Sequence, residues 1–209
     1  MARIVLASRN KGKIRELHEL LAESGIAAEV LSLADFPELP EIEEDGATFQ
    51  ENAMKKATIV TAATGLITLA DDSGLEVDVL GGQPGVMSAR FAGLHGNDRA
   101  NNALLLDKLQ DIPEEQRRAR FRCAIAIAAP DGKIETCEGF CEGMIGFVPK
   151  GTGGFGYDPL FFIPELGMTM AELPEGTKNR ISHRAKAMQQ AIAILPGFLR
   201  DYSDTAHNT

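Results

Sequence analysis

Apolar positions along this chain change period several times, and each change marks a predicted element. Residues 3–8 (RIVLAS) form an apolar run of strand length. Residues 11–24 then place Ile14, Leu17, Leu20 and Leu21 at helical spacing, and Gly25 ends that pattern. Residues 28–33 read as a second strand, followed by the acidic, proline-bearing loop DFPELPEIEEDG. Thr48 with Glu51 three residues on is a capping box, opening a helix that runs to Thr64 before Gly65. Residues 67–70 are a strand running out into a tight turn at Asp71, Asp72, Ser73 and Gly74, and residues 75–80 resume extended structure.

Further on, residues 97–110 carry Ala100, Ala103, Leu104 and Leu105 at helical spacing before Pro113. Residues 121–129 and 133–140 flank Pro130-Asp131-Gly132, the clearest hairpin signal in the chain. Residues 160–163 are a short strand, residues 179–195 a last helix stopped at Pro196, and residues 203–209 (SDTAHNT) a frayed tail. No repeat, low-complexity segment or long linker interrupts this order, so residues 1–209 read as a single domain. Strand–helix units mixed with an antiparallel hairpin predict an α/β protein around a mixed sheet.

Composition narrows the class. A chain of 209 residues fits one domain, compact or two-lobed, and buries roughly 70% of its unfolded surface. The net charge of -9 disfavours a sequence-independent grip on polynucleotide, which needs a field of lysine and arginine, but leaves room for a small anion in a local basic pocket. The first apolar run is too short for a signal sequence and no stretch approaches a membrane span, so a cytoplasmic protein is expected. Cys123, Cys137 and Cys141 are an odd set without a second pair or a nearby histidine, and they are expected to be buried thiols rather than a disulfide or zinc framework.

Four stretches carry candidate chemistry. The turn SRNKGK offers Ser8, Asn10, Lys11 and Lys13 at a helix start, where free N–H groups and the positive dipole end suit phosphate; equally, Ser8 or Asn10 simply caps the helix while the lysines are solvated. No Walker-type loop is present. In LADDSG, Asp71 and Asp72 sit at a strand end, where one carboxylate holds a divalent cation or else caps the turn. The loop EIEEDG is either a solvated acidic loop or the source of a second metal ligand. In KNRISHRAKA, Lys178, Arg180, His183, Arg184 and Lys186 crowd the predicted start of the last helix, against its dipole, which points to a bound anion over a solvated basic face. GTGGFGYDPLFF contains G-x-G-x-x-G at Gly151, Gly153 and Gly156, but Pro159 and an apolar strand follow where a dinucleotide fingerprint requires a helix.

Taken in order, LASRNKGKIREL, TFQENAMKKA, ADDSGLEVDVLGGQPGVMSARFAG, GTGGFGYDPLFF and KNRISHRAKA resemble the motifs of the inosine/xanthosine triphosphate pyrophosphatases, the Ham1-like family, across residues 3–195. The resemblance implies an elongated mixed β-sheet flanked by helices, two lobes with a central active-site cleft, and a homodimer. It also implies Mg²⁺-dependent hydrolysis of ITP, dITP or XTP to the monophosphate and pyrophosphate. Carried over by position, Ser8, Asn10, Lys11, Lys13 and Lys56 would meet phosphates. Glu44 and Asp72 would form the metal site, with Asp72 the general base, and Ser73 would lie in the substrate loop. Phe155, Gly156, Tyr157, Asp158, Lys178, His183 and Arg184 would line the base, with Phe155 stacked on it and the glycines letting backbone approach it. Arg9, and Met87 before Ser-Ala-Arg, depart from the family's usual residues. Maf-like pyrophosphatases remain the nearest alternative, although their S-x-R-R pattern is absent; a non-catalytic nucleotide-binding protein would need neither Asp72 nor Glu44.

Overall fold

The computed structural model describes residues 2–205, with side chains through residue 200. Seven strands form one sheet in the order β2-β1-β3-β4-β5-β6-β7. They are β1 (Ala2–Leu6), β2 (Ala28–Ser32), β3 (Ile67–Val77), β4 (Arg118–Ala128), β5 (Ile134–Ile145), β6 (Phe161–Ile163) and β7 (Met168–Thr169). β1 lies parallel to both β2 and β3, whereas β6 is antiparallel to β5 and β7, so the sheet is mixed as expected. The helices are α1 (Lys11–Glu23), α2 (Phe49–Thr64), α3 (Asp98–Lys108), α4 (Glu175–Ile181) and α5 (His183–Thr205).

The chain divides into two compact units. The first holds residues to Asp72, Ala124–Glu138 and the chain from Ala187 onward; the second holds Ser73–Cys123 and Gly139–Lys186. Within the first unit Ile4, Val5 and Leu6 of β1, Leu17 and Leu21 of α1, and Ala53, Ala57 and Val60 of α2 are buried. The three strand residues are consecutive, so β1 is buried on both faces there, whereas the spacing of three to four on the helices turns one face of each inward. α2 starts where Thr48 Oγ1 accepts the Glu51 N–H at 3.1 Å, while Glu51 reaches back to the Ala47 N–H at 2.8 Å, one residue before the position a strict capping box would use. It stops at Gly65, whose φ of 66° is left-handed. Within the second unit Leu75, Leu105, Phe121, Tyr157, Leu160 and Phe161 belong to one buried cluster, and the Phe121 and Phe161 rings lie 4.4 Å apart.

Several expectations are corrected. Asp71 to Gly74 make no turn: β3 runs unbroken through them for 11 residues. Asp, Ser and Gly favour turns because they often bond their own backbone, yet here Asp71, Asp72 and Ser73 bond the side chains of Lys13, Asn52 and Arg184. The last helix is two: Ser182 is extended, with φ -64° and ψ 153°, and its Oγ accepts the Ala185 N–H at 3.1 Å to start α5. Lys178 and Arg180 therefore close α4, where the dipole favours cations, and only His183, Arg184 and Lys186 stand at a helix start. Finally, α5 continues through Pro196. A helix-interior proline costs about 3 kcal/mol, and burial of Leu195 and Phe198 on either side opposes that cost.

Residues 78–80, expected to be extended, form a short 3-10 turn, and β7 went unforeseen because two residues carry no period. Of the tail expected to fray, residues 203–205 belong to α5 and residues 206–209 lie outside the described residues. The three cysteines are thiols outside any disulfide; Cys123 and Cys141 are buried as expected, whereas Cys137 is half-buried. Burial pushes Cys137, with help from Glu138, up to about 11, so it is protonated at neutral pH. Among the described residues no helix is long and apolar enough to cross a membrane.

Candidate functional site

The first unit gathers its charges around the end of β1 and the middle of β3. β1 delivers the chain to the turn where Ser8 Oγ accepts the Asn10 N–H at 3.1 Å and Asn10 Oδ1 accepts from Gly12 N at 2.8 Å and Lys13 N at 3.3 Å. Asn10 thus caps α1, which fixes the turn and aims Lys13. Lys13 Nζ donates to both carboxylate oxygens of Asp71, at 2.8 and 2.6 Å, and the Asp71 side chain is only 3% exposed. Lys11, the first residue of α1, remains exposed.

α2 contributes two polar residues, Asn52 and Lys56, one helical turn apart. Lys56 Nζ donates to Glu44 Oε1 at 2.6 Å and to the Asp71 carbonyl. Burial pushes the Lys56 ammonium down, but Asp71, Glu44 and Asp72 outweigh it and its pKa is raised, so it stays charged through neutral pH. Asn52, 1% exposed, donates from Nδ2 to Asp72 Oδ2 at 2.8 Å and accepts the Gly46 N–H at 2.7 Å. Three carboxylates thus act on one half-buried ammonium, and the acidic loop is tied down two residues after Glu44. Asn52 escaped sequence reading, although a polar residue on the core face of α2 was the available signal.

Asp71 is accordingly an ion-pair partner and not a turn cap. Asp71→Asn removes the charge that Lys13 faces, and charge-assisted bonds contribute about 2 kcal/mol. The variant is expected to lose about that much stability, read from its urea midpoint at unchanged slope; an unshifted midpoint would show that the pair contributes nothing to folding.

In the second unit Asp158 Oδ2 accepts from Lys178 Nζ at 2.5 Å and from the Phe155 N–H at 3.0 Å. Lys178 Nζ and Arg184 Cζ stand 5.4 and 5.7 Å from the centre of the Phe155 ring, which is 59% exposed. Arg184 also donates to Ser73 Oγ at 3.2 Å. Phe155, Asp158, Lys178, Arg184 and Ser73 therefore come together. Tyr157 and His183 stand instead in the packing: Tyr157 is 4% exposed with its hydroxyl donating to the Ser88 carbonyl, and His183 stacks on Phe121 at 4.8 Å. Burial, with Asp98 nearby, holds the Tyr157 phenol well above its usual range, so it remains a donor.

The glycines have a local reason that the sequence reading did not reach. A Cβ on Gly151 would lie 2.5 Å from the Ala171 carbonyl carbon, one on Gly153 would lie 2.9 Å from the Ala171 oxygen, and one on Gly154 would overlap the Asp158–Lys178 pair. Those three let the loop pack on its own unit. Gly156 has open space but a φ of +60°, which favours glycine.

The mixed sheet defines an α/β protein whose first unit presents cations beside carboxylates and whose second unit presents an exposed aromatic ring beside two cations. The sequence model of the Ham1 family matches residues 4–194, and the chain belongs to that family. It is 56% identical to a dITP/XTP pyrophosphatase of Geobacter sulfurreducens over 188 residues, 90% of this chain and 94% of that one. It is also 56% identical to a dITP/XTP pyrophosphatase of Desulforamulus reducens over 193 residues, 92% of this chain and 95% of that one. Among solved structures, a HAM1 protein from Coxiella burnetii superposes with a TM-score of 0.88 at 40% identity, covering 94% of this chain and 100% of that chain.

Proposed function

We propose that the protein hydrolyses non-standard purine nucleoside triphosphates (ITP, dITP and XTP) between the α- and β-phosphates, releasing the monophosphate and pyrophosphate. The observation that carries this reading is the Lys56 cluster, in which Glu44, Asp71 and Asp72 act on one ammonium. A protein that only bound nucleotide would gain nothing from carboxylates beside a polyphosphate, because like charges repel. Carboxylates become useful there when a divalent cation bridges them to the phosphates. The names of the relatives, dITP/XTP pyrophosphatases, support dITP and XTP among these substrates.

Among the described residues no three His, Cys, Asp or Glu side chains stand together as ligands. Two carboxylates nonetheless suit Mg²⁺, which takes one or two from the protein and completes its shell with water and phosphate. Glu44 and Asp72 fit that donor set, both bearing hard oxygens on the same ammonium. When bound, Mg²⁺ would neutralise phosphate charge and polarise the bond being cleaved. Lys11, Lys13, Lys56 and the N–H groups at the α1 start would hold the phosphates, with Ser8 and Asn10 shaping that turn. Asp72 would accept the proton of the attacking water. Phe155 would stack on the purine, Lys178 and Arg184 would donate to its 6-oxo group, and Asp158 would hold Lys178 in place. A homodimeric assembly and a cytoplasmic location belong to the same proposal.

Metal removal tests this assignment. With ITP as substrate, EDTA is expected to abolish turnover and excess Mg²⁺ to restore it; turnover that persists in EDTA would contradict the role given to Glu44 and Asp72.

A further inference from the structure

Phe155 poses a mechanical problem within the second unit. A ring that is 59% exposed is not held by packing, so its position depends on its backbone. That backbone is unusually well tied. The Phe155 N–H donates to Asp158 Oδ2 and its carbonyl accepts the Asp158 N–H at 3.2 Å. The next residue, Gly156, is gripped from α3: its N–H donates to Asp98 Oδ2 at 2.7 Å, and its carbonyl accepts from Asn102 Nδ2 at 2.8 Å. Asp98 and Asn102 are four residues apart, so they share one face of the helix. All four backbone polar groups of residues 155 and 156 are thus engaged by side chains or backbone of the same unit. The Asp98 bond is charge-assisted, the stronger kind.

The same helix steadies a neighbouring loop. Asn101, 2% exposed, accepts the Ala92 N–H at 2.8 Å and donates to the Ala89 carbonyl at 3.3 Å. Tyr157 then bonds the Ser88 carbonyl at 2.9 Å. α3 therefore serves as the rigid part against which the GFGYD loop is set.

The geometry points to Asp98 and Asn102 as positioning residues for base recognition: by clasping both polar groups of Gly156 they fix the Phe155 ring against Lys178 and Arg184, and so determine base affinity without acting on the phosphates. This inference rests on the nucleotide reading of the site proposed above. Loss of one clasp bond lets the ring wander. The penalty then falls on ligands that have a base and spares those that have only phosphates.

The test uses Asp98→Ala, Asn102→Ala and the conservative Asp98→Asn, whose amide oxygen still accepts from Gly156. Each is assayed with ITP and ATP, and with inorganic tripolyphosphate as a base-free competitive inhibitor in the presence of Mg²⁺. For Asp98→Ala and Asn102→Ala, KM for ITP is expected to rise about 10-fold with kcat changed less than about 3-fold, and the preference for ITP over ATP to narrow. The tripolyphosphate inhibition constant is expected to stay at the wild-type value, and Asp98→Asn to recover most of the ITP affinity. Unchanged KM for ITP, a parallel rise in KM and the tripolyphosphate constant, or no recovery in Asp98→Asn would overturn the inference. If one alanine variant fails to fold, the other is read by the same ratio. Wild-type protein that fails to turn over ITP would overturn the nucleotide reading itself, and this inference with it.

Discussion

Replacing Asp72 with asparagine is expected to lower kcat on ITP by about 10³-fold or more while the protein remains folded. Loss of general-base help alone costs typically about 10²- to 10⁴-fold, and removing one negative charge from a two-carboxylate metal site weakens the metal's placement as well. The fold should survive because the substitution is nearly isosteric. Asn52 Nδ2 now donates to Asp72 Oδ2 at 2.8 Å, and an asparagine at 72 still presents an amide oxygen to that donor. Asp71 provides the internal control, since its neighbouring carboxylate faces Lys13 on a strand whose successive side chains alternate in direction. Measuring kcat and the thermal midpoint for both variants decides the assignment. A destabilised but active Asp72→Asn beside a stable, inactive Asp71→Asn would mean that the two roles are exchanged.

Base choice should show the second large effect: kcat/KM for ITP and XTP is expected to exceed that for ATP by at least about 10²-fold. Stacking on Phe155 contributes about 1 to 3 kcal/mol for any base and so cannot discriminate. Lys178 and Arg184, both within 6 Å of that ring, can only donate hydrogen bonds. A 6-oxo group accepts from them, whereas a 6-amino group sets donor against donor and leaves buried groups unpaired, the arrangement that gives the steepest rejection. Lys178→Met should narrow the preference by weakening ITP rather than by improving ATP. Equal rates on ATP and ITP in the wild type would show that these cations do not read the 6-position.

How far the sequence was legible follows from the physics of each stretch. Apolar patterning placed β1 as a continuous buried run and α1 and α2 by one face at helical spacing, while the Pro130-Asp131-Gly132 turn marked the β4–β5 hairpin. It failed at Asp71 to Gly74, where local turn chemistry lost to partners far along the chain: Lys13 is 58 residues from Asp71, and Arg184 is 111 residues from Ser73. It failed again at Pro196, where burial of Leu195 and Phe198 overrode a helix breaker. The candidate site was legible as residue types in ordered motifs. Its supports were not: Asn52, Asp98 and Asn102 act through single hydrogen bonds to residues 20 or more positions away, except for the Gly46 contact, and no local pattern announces such bonds. The glycines of the GTGGFG loop show the same limit, since the Ala171 backbone they accommodate is distant in sequence.

The most direct test of the central claim is the identity of the product. With ITP and Mg²⁺, pyrophosphate and orthophosphate are measured separately from the first turnovers, in the absence of any inorganic pyrophosphatase. Cleavage between the α- and β-phosphates predicts one pyrophosphate and one IMP for each ITP consumed, with no IDP. Stepwise release of orthophosphate with accumulating IDP would contradict it.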